Sequence, residues 1–95
     1  MFVVILTYKR PIEDVEQYLD EHITFLDAQY DAGVFIASGR RVPRTGGVIL
    51  ASGVNKEALM AILALDPFFR EGIADYEVHE FIPSKMQSGF EPFVK

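Results

Sequence analysis

The feature that most constrains this chain is a run of five apolar residues, 2–6 (Phe-Val-Val-Ile-Leu), at its start. Side chains of a strand alternate between two faces, so Phe2, Val4 and Leu6 share one side and Val3 and Ile5 the other. Both sets are apolar, and a strand of that kind needs cover on both faces. The β-branched and aromatic residues of 1–8 make this segment a strand, ended by Lys9-Arg10-Pro11. Residues 34–39 repeat the two-faced pattern, and 46–51 form a third strand paired with the second. Residues 74–83 form the fourth, with Tyr76, Val78, Glu80 and Ile82 on one face and Glu77, His79 and Phe81 on the other.

Two helices separate these strands. The first runs from Ile12 or Glu13 to Asp31, with Glu13, Asp14 and Glu16 favouring its N-terminal dipole and Gly33 as its stop. The second starts at an Asn55 cap and ends near Leu65. Its buried stripe is Leu59, Ile62 and Leu63, and Asp66 continues that stripe three residues on. Pro67 takes Asp66 out of the helical region, and residues 66–69 turn the chain. The order βαββαβ fits an α+β, ferredoxin-like sandwich: an antiparallel four-stranded sheet with both helices on one face. Its second face stays apolar and bare, so a homodimer through the sheet faces, a dimeric α+β barrel, is expected. At 95 residues the chain makes one domain, 1–83, followed by an aperiodic tail, 84–95, free to pack on the body or on a partner.

Composition narrows the functions. There is no cysteine, which removes disulfides, thiol nucleophiles and thiolate metal sites. The net charge of -5 argues against nucleic acid. The opening apolar run is too short to span a membrane and lacks the flanks of a signal peptide, so the expectation is a cytoplasmic protein with no membrane partner.

On the first helix, Val15, Leu19, Leu26 and Tyr30 form an apolar stripe, and His22 falls inside it. A buried imidazole needs a hydrogen-bond partner. The best candidate is Asp66, on the stripe of the other helix. A carboxylate on one ring nitrogen sets the tautomer and leaves the other nitrogen to act on a ligand. The alternative is a core histidine bonded to a backbone carbonyl, with Asp66 only capping the turn at Pro67. Ser38, before Gly39 at the end of the second strand, is placed to bind a ligand oxygen or to bond the backbone. It has no Gly-x-Ser-x-Gly context for a nucleophile. Arg40, Arg41 and Arg44 form the densest positive cluster, suited to an anionic small molecule or to a solvated loop. Gly46-Gly47 opens a strand, so it is no phosphate cradle. His79 stands alone on its strand face, and two isolated histidines do not make a catalytic metal site.

Five segments carry a resemblance: His22-Ile23-Thr24-Phe25-Leu26, residues 33–39, residues 45–50, Asp66-Pro67-Phe68 with Gly72, and residues 76–81. In this order and spacing they resemble the YciI-like (YCII) family of the dimeric α+β-barrel superfamily, over about the first 83 residues. The resemblance implies a ferredoxin-like protomer, a face-to-face dimer, and a site on His22 and Asp66 lined by Ser38, Pro67 and Phe68. One branch of the family resembles dehydrochlorinases acting on chlorinated hydroxyquinols. The expectation is a small-molecule enzyme on an aromatic or enolisable substrate. His22 and Asp66 are its acid–base pair, Ser38, Gly39, Arg40, Pro67 and Phe68 its binding residues, and it needs no cofactor or metal. The alternative is a non-catalytic metabolite-binding or structural dimeric module.

Overall fold

The computed structural model describes residues 1–94; Lys95, the end of the expected tail, lies outside the described residues. Strands β1 (Phe2–Tyr8), β2 (Phe35–Arg40), β3 (Gly46–Ala51) and β4 (Ala74–Glu80) make one sheet, ordered β2-β3-β1-β4. Every neighbouring pair is antiparallel. The helices are α1 (Ile12–Gln17), α2 (Leu19–Asp31), α3 (Lys56–Leu63) and the single turn α4 (Pro67–Arg70). The α+β sandwich expected from the element order is the fold observed.

Phe2, Val4 and Leu6 are sealed on the helix-facing side of β1, with Ile49 and Ala51 beside them on β3. Leu59, Leu63 and Asp66 are all fully buried, as one stripe requires. Burying each large apolar side chain contributes about 1.5–3 kcal/mol, so this row drives the docking of α3 onto the sheet. Asn55 caps α3 by accepting from the Ala58 amide at 2.8 Å, a bond of about 1 kcal/mol.

Three expectations are corrected. The first helix is interrupted at Tyr18, whose amide bonds back only three residues to the Val15 carbonyl; that tighter turn separates α1 from α2. As a result α2 straddles two environments. Phe25 is its buried residue, while Leu19, His22 and Leu26 of the expected stripe flank a cavity and Tyr30 is exposed. Second, the turn expected at residues 66–69 is a helical one over Pro67–Arg70 with Asp66 as its cap, because Pro67 presets φ for the first position. Third, β4 stops at Glu80 instead of Pro83. Beyond it the Met1 ammonium donates to the Phe81 carbonyl, and the tail ties to its own body where the Ser52 hydroxyl donates to the Phe93 carbonyl at 2.7 Å.

The other sheet face carries Val3, Ile5, Val48 and Leu50, half-buried and without a helix above them. Asp75, Glu77 and His79 border it on β4. His79 is not alone there: its Nε2 meets a Glu77 carboxylate oxygen. No helix among the described residues is long and apolar enough to cross a membrane.

Candidate functional site

Asp66 sits where α3 ends and α4 begins. Its backbone is extended because Pro67 follows (φ -68, ψ 128), and its side chain folds forward to accept from the Phe68 amide at 3.0 Å. The same oxygen, Oδ1, meets Nδ1 of His22 at 2.8 Å. The other oxygen, Oδ2, accepts from the Tyr76 hydroxyl on β4. The sequence left two roles open for Asp66, partner of His22 or cap of the turn at Pro67, and the carboxylate serves both.

Asp66 is 0 % exposed and the His22 side chain 12 %. A buried carboxylate is tolerated when donors satisfy its lone pairs, and here an amide and a phenol both donate to it. An ionised carboxylate has no hydrogen to give, so the His22 nitrogen facing it carries the proton. Nε2 is then the unprotonated nitrogen of the neutral ring, and no described residue bonds it. Phe68 holds the imidazole from one side: the rings stack at 4.0 Å between centroids and 6° from parallel.

Tyr76 was absent from the sequence-based candidates. Burial, and next the Asp66 charge beside it, raise the pKa of its hydroxyl well above the usual tyrosine value. The phenol therefore stays a donor. A tyrosine on the same strand face as Val78 was the available signal, since a buried phenol needs a partner.

A cavity of about 450 Å³ opens between α2 and the β1–β3–β2 side of the sheet. His22, Phe68, Leu6, Leu19 and Leu26 line one part of it, and Ser38, Gly39, Arg40, Arg44, Gly46 and Gly47 another. Pro67 is buried outside this lining, as the first residue of α4. The Ser38 hydroxyl pairs with the Tyr30 hydroxyl at 2.7 Å; its partner is neither His22 nor the backbone. Arg44 reaches Glu16 at 3.7 Å, and Arg41 turns away to donate to the Thr7 hydroxyl at 3.1 Å. Arg70 bridges α4 to α2 through Glu21 at 3.1 Å and also pairs with Glu71. These two carboxylates raise its pKa, and they brace the two elements that carry Asp66 and His22. No group of three or more potential metal ligands exists among the described residues.

Comparison with known proteins shows the family and the fold. Residues 1–82 match the YCII-related domain. No curated protein matches the sequence. Among solved structures, the chain resembles 5-chloro-2-hydroxyhydroquinone dehydrochlorinase (TftG) from Burkholderia phenoliruptrix AC1100, in complex with 2,5-dihydroxybenzoquinone. The TM-score is 0.70 at 15% identity, covering 85% of this chain and 93% of that one. At that identity the likeness is one of fold.

Proposed function

The chain belongs to the YCII-related family, and from that premise we propose that it is a general acid–base enzyme acting on a small aromatic or enolisable molecule. The observation that carries this reading is the His22–Asp66 bond at 2.8 Å beside a cavity large enough for a single-ring substrate. Asp66 orients the imidazole and stabilises its cationic form, so Nε2 takes a proton from the substrate and returns one later. Phe68 keeps the ring in plane, and Ser38, with the hydroxyl of Tyr30, positions a substrate oxygen. The proton transfer uses side chains alone. On a chlorinated hydroxyquinol the same pair works through the keto tautomer: a proton delivered to the chlorine-bearing ring carbon turns a neighbouring hydroxyl into a carbonyl, His22 then takes the proton of another ring hydroxyl, and the O–H electrons pass through the ring to expel chloride with the C–Cl pair, leaving a hydroxybenzoquinone. The dehydrochlorinase whose fold this chain shares makes chlorinated hydroxyquinols the first compounds to try. The active form is a homodimer that covers Val3, Ile5, Val48 and Leu50.

Chloride release from a chlorohydroxyquinol panel, with hydrogen–deuterium exchange on 2,5-dihydroxybenzoquinone as a second readout, tests the assignment. His22→Gln is expected to lower the rate by roughly a hundredfold or more. Turnover that survives His22→Gln and Asp66→Ala unchanged would sink it. Retention of a small molecule through purification with no conversion would instead identify a binding module.

A further inference from the structure

The charge a ligand must carry can be read from one row of the sheet. Arg40 pairs with Gly47, Gly47 with Leu6, and Leu6 with Tyr76, so these four residues cross all four strands at one level. Ser38, two residues before Arg40, bonds Tyr30 of α2, so its side of β2 faces the helices; strand alternation puts Arg40 on that side too. At about 4.8 Å between neighbouring strands, Arg40 and Tyr76 lie about 14 Å apart along the row. Tyr76 leads through Asp66 to His22, so the acid–base group stands toward one end and a guanidinium at the other. Between them the floor is open at Gly47, where an added Cβ would meet only the Gly39 carbonyl, at 3.1 Å.

Arg40 differs from its neighbours. Arg41 is spent on Thr7 and Arg44 on Glu16, whereas no described residue pairs with the Arg40 side chain. The walls between the two ends are largely apolar: Leu6, Leu19, Leu26 and Phe68. The whole chain carries a net charge of -5, which repels anions at long range, so an anion that enters needs a local cation to hold it. We propose that the cavity selects a small planar oxyanion, a carboxylate or a phenolate, gripped by the forked N–H groups of Arg40 while its proton-exchanging atom lies against His22 Nε2. The proposal rests on the acid–base reading of His22 and adds the charge class of the substrate and the residue that reads it.

The test uses the whole chain and two probes of matched shape, 4-hydroxybenzoate and its neutral amide, followed by amide and imidazole NMR shifts. The carboxylate is expected to bind at least roughly tenfold more tightly than the amide. Arg40→Gln should remove that preference and Arg40→Lys restore part of it, while Arg41→Gln leaves it intact. Gly47→Val, which fills the floor, should weaken both probes. Equal binding of the two probes, a preference that survives Arg40→Gln, or no binding of either at millimolar concentration overturns the anion subsite. Charge selection at Arg40 without any response of the His22 ring would instead overturn the acid–base reading and leave the subsite standing.

Discussion

Tyr76 gives its hydroxyl to the Asp66 oxygen that His22 leaves free, so one buried carboxylate joins β4, α4 and α2. Removing that donor exposes its value. Tyr76→Phe leaves Oδ2 buried without a partner and is expected to cost about 1–3 kcal/mol, read as a lower urea midpoint at constant slope. The effect also has a pH signature. The raised native pKa means the folded chain keeps this proton where the unfolded chain, with its tyrosine value near 10.0, gives it up. The stabilisation is therefore complete below that unfolded value and lost as pH rises above it toward the native one. The difference in stability between wild type and Tyr76→Phe should be flat through neutral pH and shrink above about pH 10. A difference that holds constant into strong alkali would contradict the bond.

Gly46 tests the sheet beneath the site. A Cβ there would stand 1.7 Å from the Leu6 carbonyl oxygen, which is backbone and has nowhere to move without breaking the β1–β3 ladder. Gly46→Ala is expected to destabilise by on the order of 4 kcal/mol or more. Gly47→Ala meets only one carbonyl at 3.1 Å and should cost far less. Similar denaturation midpoints for the two variants would show the strand pairing to be misplaced.

The uncovered sheet face predicts a self-association. Ile5 lies in the middle of it, paired with Val48 on one side and Glu77 on the other. A glutamate at Ile5 would bury a charge in the dimer and repel Glu77, so Ile5→Glu should sediment as a folded monomer where the wild type sediments as a dimer. A wild-type monomer at micromolar concentration would remove the dimer from the account.

The residues that carry local patterns were the ones legible in the sequence. Two-faced apolar strands and the helices between them led to the element order and the four-stranded antiparallel sheet, because alternation and helical period are set by neighbours along the chain. His22 and Asp66 were legible for the same reason: each is a polar residue on an apolar stripe and so needs a partner. Tyr76 was placed on the correct strand face but not joined to Asp66, since that bond depends on how β4 and α4 meet in space. The break at Tyr18 had no proline or glycine to announce it, and it shifted Phe25 into the core ahead of Leu26. The Ser38–Tyr30 hydroxyl pair was likewise hidden: the sequence places one on a strand end and the other on a helix stripe, and their meeting depends on how β2 and α2 pack.

Asp66 is expected to hold the proton of His22 on Nδ1 and leave Nε2 free toward the cavity. Long-range ¹H–¹⁵N NMR of the imidazole reads this directly, with His79→Gln to assign the ring. In the neutral form the account predicts a protonated Nδ1 and a bare Nε2 in the wild type, and a loss of that preference in Asp66→Asn. A neutral ring carrying its proton on Nε2, indifferent to Asp66→Asn, would contradict it.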